Sequence, residues 1–116
     1  MLKCKRIYDP PERTDGYRVL VDRLWPRGLT KERAKIDEWM KDLAPSDALR
    51  RWFSHDPKKW DEFQKRYREE LKNPTKAALL AQLRELSRRQ TVTILYSARD
   101  EKHNNAVVVR EMIKER

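Results

Sequence analysis

The run Thr91–Tyr96, TVTILY, constrains the fold of this chain more than any other stretch. It is short, β-branched and apolar enough to be covered on both faces. A strand of that kind belongs inside a mainly parallel sheet, and a parallel sheet needs helices to carry the chain back between its strands. The rest of the chain supplies both. Tyr17 to Leu24 reads as a second strand built on Val19-Leu20-Val21. Leu2, Cys4, Ile7 and Tyr8 mark a short first strand, with Lys3 and Lys5 on its other face. The fold class is therefore α/β, a single domain over residues 1–116 with a small mainly parallel sheet flanked by helices.

The helices announce themselves by caps and apolar spacing. Thr30 caps a short helix over Lys31 to Lys35. Ile36, Trp39, Met40 and Leu43 follow at i, i+3, i+4 and i+7, which predicts a further helical stripe ending at Ala44-Pro45. Ser46 or Asp47 caps the next piece, which carries Leu49, Trp52 and Phe53. Asp56-Pro57 and Asn73-Pro74 each place a capping side chain before a proline at the first helical position. They introduce helices with apolar faces at Trp60, Phe63, Tyr67 and Leu71, and at Leu79, Leu80, Leu83 and Leu86. Asn104 or Asn105 caps a last helix bearing Val108, Val109, Met112 and Ile113. Val19, Val21, Ile94 and Tyr96 are expected to share one core with Leu83, Val109 and Ile113. The proline-rich Asp9–Gly16 segment cannot extend a ladder and reads as a surface loop.

Composition narrows the function classes. The net charge is +9, from 28 Lys and Arg against 19 Asp and Glu, which favours anionic partners: nucleic acid, a phosphorylated metabolite or an acidic surface. With only two glycines, Gly16 and Gly28, neither a G-x-G-x-x-G fingerprint nor a P-loop can exist. Any phosphate must be held by arginines and helix N-termini, and no cofactor is expected. One cysteine excludes an intramolecular disulfide framework, and two histidines far from it in sequence match no metal-ligand spacing. Cys4 reads as a small buried hydrophobe. Without an apolar leader or a membrane-length apolar run, the expected location is cytoplasmic.

If the two apolar strands are parallel neighbours, their C-terminal ends share a rim, where open α/β sheets bind ligands. That rim gathers Asp22, Arg23, Trp25 and Arg27 with Tyr96, Ser97, Arg99 and Asp100, and the last helix begins beyond it at His103, Asn104 and Asn105. The expected ligand is a small anion, phosphorylated or nucleotide-like, held by Arg23, Arg27 and Arg99. Trp25 and Tyr96 would pack against an apolar part, Ser97, Asn104 and Asn105 would add hydrogen bonds, and Asp22 and His103 are the candidate acid/base pair. The competing readings are structural. Asp22 and Arg23 can pair elsewhere, the tryptophans can pack, the asparagines can cap, and His55-Asp56 is favoured as turn chemistry. Arg66 and Arg84 are placed on exposed helical faces, as bystanders. Whether a reaction follows stays open. The alternatives are a basic nucleic-acid-binding module and a non-catalytic interaction protein, although lysine and arginine interleaved with glutamate on every helix reads as a solvated surface.

The segments VDRLWPRGLTKERAKIDEW, LAPSDALRRWFSHDPKKWDEFQKRYREEL and LYSARDEKHNNAVVVREMI together resemble the YeaO-like family of small uncharacterised proteins, the domain of unknown function 488. The Asp-Arg-Leu-Trp-Pro-Arg-Gly element stands at 22–28, His-Asp-Pro at 55–57 and His-Asn-Asn at 103–105. The resemblance implies a single α/β domain and no settled activity.

Overall fold

The computed structural model describes residues 1–115. Its centre is one four-stranded sheet: β1 (Leu2–Arg6), β2 (Tyr17–Leu20), β3 (Glu38–Trp39) and β4 (Val92–Tyr96), in the spatial order β1-β4-β2-β3 with every pair parallel. The apolar strand β4 is thus interior, and all five of its residues are buried. Val19 faces Ile94 and Leu20 faces Leu95 across the β2–β4 ladder, so the two β-branched runs are parallel neighbours. Val21 prolongs the ladder by one bond, its N–H donating to Leu95 O at 3.2 Å, and the chain then leaves the sheet. The sequence pattern extends this strand to Leu24, but Leu24 is 61% exposed on the loop beyond.

Five helices accompany the sheet: α1 (Lys31–Ala34), α2 (Asp47–Phe53), α3 (Trp60–Glu70), α4 (Pro74–Arg89) and α5 (Asn105–Lys114). Their starts follow the caps. Thr30 Oγ1 accepts from Arg33 N, Ser46 Oγ from Leu49 N, Asn73 Oδ1 from Thr75 N and Asn104 Oδ1 from Val107 N. Asp56 caps a 3₁₀ turn over Pro57–Lys59 that runs straight into α3.

Alternation along the strands sends Val19, Val21, Val92, Ile94 and Tyr96 to one face and Leu20 and Leu95 to the other. The first set joins Phe53, Phe63, Tyr67, Leu80, Leu83, Val108, Val109 and Ile113 in one core. Every residue of the expected core lies in it. Cys4 and Leu2 pack against its edge, while Lys3 and Lys5 point to the opposite face and reach the 9–16 segment. On that opposite face a smaller apolar cluster, Ile7, Leu20, Ala34 and Leu95, is covered by Trp25, Leu29, Ile36 and Trp39.

The segment 36–43 departs from the helical reading. Ala34 ends α1, Lys35 turns the chain with φ +48°, and Asp37 N then donates to Arg18 O and Met40 N to Leu20 O at 2.8 Å each. Its four apolar residues serve two cores: Ile36 and Trp39 enter the smaller one, Met40 and Leu43 the larger. Helical spacing is satisfied by a short edge strand and a 3₁₀ turn because the sheet passes between the two pairs.

Gly16 is required where it stands. Its φ is +63°, and a Cβ there would lie 2.2 Å from Thr91 O, the carbonyl that receives Tyr17 N at 2.9 Å and opens the β2–β4 ladder. Arg84 is no bystander. Its Nε donates to Ile113 O at 2.9 Å and its Nη2 to Met112 O and Glu115 O, closing the C-terminal end of α5 onto α4. Arg66 pairs with Glu62 at 3.0 Å on the outside of α3 and lies over the Trp52 ring. No helix among the described residues is long and apolar enough to cross a membrane.

Candidate functional site

The parallel pairing of β2 with β4 brings their exits to one rim, and the loop after β4 leads straight into α5. A cleft of about 530 Å³ opens there. One wall is the β2 exit, Asp22 to Arg27, and a second is Ser97 and Ala98 with Asn104 and Asn105. A third is the end of α2, with Arg50, Phe53 and His55, and Tyr8, Pro45 and Phe63 complete the lining.

Asp22 ties the first two walls together. Its Oδ2 accepts from Ser97 N at 2.9 Å and Ser97 Oγ at 2.6 Å, and its Oδ1 accepts from Asn105 Nδ2 at 3.1 Å. Asn105 Nδ2 also donates to Val21 O at 2.9 Å, so the first residue of α5 is anchored to the end of β2. Charge-assisted bonds of this kind contribute about 1.5–3 kcal/mol each when sheltered. Asp22 faces the cleft, but both of its oxygens are occupied by neutral donors. Its backbone carbonyl accepts from Trp39 Nε1 at 2.7 Å.

The arginines have different fates. Arg23 donates through Nε and Nη2 to Pro45 O at 3.3 and 3.2 Å, so its charge meets a carbonyl rather than a carboxylate. Arg27 is exposed at the mouth and makes no ion pair among the described residues; its own carbonyl accepts from Tyr8 Oη at 2.8 Å. Arg50 shares an exposed pair with Asp47 at 3.1 Å. Among the described residues neither rim aspartate pairs with an arginine. Asp100 accepts from Lys102 N, from His103 N and, at 2.9 Å, from His103 Nδ1. The His103 ring, followed by those two amides, holds the Asp100 carboxyl below the usual carboxylate range.

Of the residues expected at the site, Asp22, Arg23, Trp25, Arg27, Ser97, Asn104 and Asn105 line this one cleft. Tyr96, Arg99 and His103 do not. Tyr96 points to the helix-covered face and is buried in the larger core, where burial pushes its phenol up to about 12. Arg99 lies exposed on the loop beyond Ala98, and the His103 ring sets its edge against Trp60 with centroids 5.2 Å apart. Asn104 is the cap and also donates to Asp100 O. Trp25 packs edge-on against Trp39 at 5.3 Å and donates to Leu29 O, which makes it a wall rather than an open stacking surface.

Sequence reasoning missed Tyr8, Arg50 and the cleft placement of His55. No local pattern marks the first two: Tyr8 arrives because β1 lies beside β4, and Arg50 because Ser46 fixes the start of α2 by donating from N and Oγ to the Glu70 carboxylate on α3. Arg6 is a further unmarked support, donating to Ala98 O at 2.9 Å and Ser97 O at 3.1 Å and so fixing the β4 exit.

The segments 22–28, 55–57 and 103–105, which carry the resemblance noted in the sequence, each contribute to this cleft or border it. The chain is 39% identical over 113 residues to the uncharacterised protein YeaO of Escherichia coli K12, covering 97% of this chain and 96% of that protein. It is 40% identical over 115 residues to the uncharacterised protein Rv3073c of Mycobacterium tuberculosis H37Rv, covering 99% and 95% respectively. The same figures hold for the uncharacterised protein Mb3100c of Mycobacterium bovis. No solved structure matches the chain. The family model described as "Inactive DUF488-N3 subclade" matches residues 1–116, and the chain belongs to that family.

Proposed function

We propose that the protein binds a small anionic ligand, phosphorylated or nucleotide-like, in the rim cleft and holds it without chemical turnover. One observation carries this reading: the cleft carries three guanidinium groups, Arg23, Arg27 and Arg50, against one carboxylate, and that carboxylate already accepts from Ser97 and Asn105. Three guanidinium groups, one of them shared with Asp47 outside the lining, outnumber a single carboxylate whose oxygens already face donors; that excess of positive charge favours an anion, and guanidinium forks recognise phosphate and carboxylate geometry well. The α5 N-terminus, starting at Asn105, adds its dipole to the same recess. Leu24, Trp25, Pro26 and Phe53 give the ligand an apolar surface beside the charge. Two of the large apolar side chains that stand exposed, Tyr8 and Leu24, flank the same cleft.

Binding is favoured over catalysis because neither candidate acid/base has the freedom to act. Asp22 has both oxygens bonded to donors, and His103 is turned toward Asp100 and Trp60, outside the cleft. The description of the family as an inactive subclade fits that reading.

Calorimetric titration with inorganic phosphate, sulfate, AMP and ADP tests it. Arg27→Ala should weaken a bound anion about tenfold, the loss of one charge-assisted bond, with folding stability changed by less than about 0.5 kcal/mol. Arg99→Ala should change binding less than Arg27→Ala, and Arg89→Ala, on the exposed end of α4, should change nothing. Failure of every anion to bind overturns the proposal. Tight binding to a defined nucleic-acid sequence near physiological ionic strength would replace it with the nucleic-acid reading; weak binding that collapses with salt would not.

A further inference from the structure

We propose that His55 is a ligand-contacting residue of the rim cleft, and that the strained turn carrying it is kept for that contact. This rests on the reading of the cleft as an anion site and adds a specificity-determining residue to it. Ser54 and His55 have φ values of +46° and +57°, two consecutive side-chain-bearing residues in the left-handed region. Asp56 N donates to Phe53 O at 3.0 Å across them, closing a four-residue turn of the I′ kind. Such turns favour asparagine or glycine at both central positions, because a Cβ there crowds the backbone.

Local chemistry explains only half of the arrangement. Ser54 is the residue that ends α2, and a left-handed residue is common at that position. Asp56 has its own task, capping the turn before α3 by accepting from Lys58 N. No hydrogen bond among the described residues joins it to the His55 ring. His55 has neither role. Its ring centroid lies 6.4 Å from that of Phe53, tilted at 52°, and His55 is one of the residues lining the cleft. Backbone strain at a non-glycine residue persists where the fold over-determines it or where function needs the side chain. Glycine would suit this φ better and would leave the cleft wall without its only imidazole.

The test separates the two explanations by asking for opposite effects from one substitution. His55→Gly removes the ring and relieves the strain; His55→Asn removes the ring but tolerates the left-handed region. Each variant is compared with the wild type by thermal unfolding and by titration with AMP and with inorganic phosphate. The expected result is a midpoint equal to or above the wild type for both variants, with AMP affinity reduced about tenfold, as for the loss of one bond to a charged group. Unchanged affinity in both variants overturns the role of His55 while leaving the cleft reading intact, provided Arg27→Ala still weakens binding. A lowered midpoint for both variants with unchanged affinity assigns the ring a folding role and also overturns it. If the wild type binds neither probe, both readings fall together.

Discussion

Four helices cover one face of the sheet, loops and the single-turn α1 cover the other, and the two coverings bury different chemistry. On the helical face, α2 to α5 pack an apolar core that runs from Val19 and Ile94 out to Phe63, Tyr67 and Ile113. On the other face the apolar cluster has four buried members with Trp25, Leu29, Ile36 and Trp39 packed over it, and buried polar groups lie beside it. Asp15 and Arg18 are 1% and 4% exposed, with Arg18 Nη1 donating to Asp15 Oδ2 at 2.6 Å. Lys5 adds bonds to both Asp15 oxygens at 3.1 Å, and Thr93 Oγ1 donates to Asp15 O at 2.7 Å. Arg18 also donates to Lys35 O and Ala34 O, which pins the 31–37 segment over β2. Where helices supply apolar stripes the sheet is covered by burial alone. Where loops and one short helix are available, a satisfied ionic network joins a small apolar cover, and that network tolerates the loss of a member poorly.

The largest expected effect comes from that network. Arg18→Ala removes a buried partner of Asp15 and two bonds to the α1 turn, and should cost about 3–5 kcal/mol in chemical denaturation. A loss below about 1 kcal/mol, the scale of an exposed pair, would show that Lys5 alone satisfies Asp15 and that the two faces differ less than their chemistry indicates.

Neighbouring strand residues sharpen the contrast. Ile94→Ala and Leu95→Ala truncate adjacent positions of β4 on opposite faces. Buried truncations of this size cost about 2–5 kcal/mol, less where the surroundings can collapse. Ile94, under packed helices, should lie toward the upper end and Leu95, under loops, toward the lower. The reverse order would mean that Trp25 and Trp39 hold the loop face as rigidly as helices hold the other.

Acid should also act on the loop face first. Burial opposes ionisation of Asp15, but the Glu12 N–H and the bonds from Lys5 and Arg18 outweigh it and hold the carboxyl below its ordinary range. A carboxyl depressed in the folded state contributes stability that is fully present above the unfolded value, about 3.9, and is lost as pH falls through the lower folded value. Asp15→Asn should therefore be less stable at neutral pH yet lose less on acidification. Parallel stability–pH curves for the two proteins would remove Asp15 from the acid response.

The smallest effect concerns Cys4, at the margin of the helical face. Burial pushes its thiol up to about 11, with Arg110 opposing, and Sγ donates to Ala106 O at 3.4 Å. Alkylation at pH 8 should be slow in the native protein and fast in denaturant. Fast native labelling would show that the β1 edge opens.

How much was legible from the chain differs along it. The 3.6-residue stripes and cap-proline pairs located α3, α4 and α5, because helices that each bury one stripe have little alternative pattern to imitate. The rim was legible on one condition, that the two β-branched runs be parallel neighbours; the strand order meets it and brings Asp22, Arg23 and Arg27 into one cleft with Ser97 and Asn105. The 36–43 segment was not, since a spacing of three and four fits a helix as well as a strand and turn that divide their residues between two cores. Arg84 looked exposed because nothing local reveals that the end of α5 lies against it.

By itself the sequence determined the parallel α/β sheet, the helix starts, the larger core and the arginine-bearing exits from β2 and β4. These rest on short-range sterics, capping and periodicity, which act within a few residues. Tertiary structure alone decided that Asp22 is bonded to Ser97 and Asn105 rather than to an arginine, that Tyr8, Arg50 and His55 join the cleft, and that His103 turns away from it. Those outcomes depend on which elements meet across the rim, and strand order and helix packing fix that at separations no local pattern can encode.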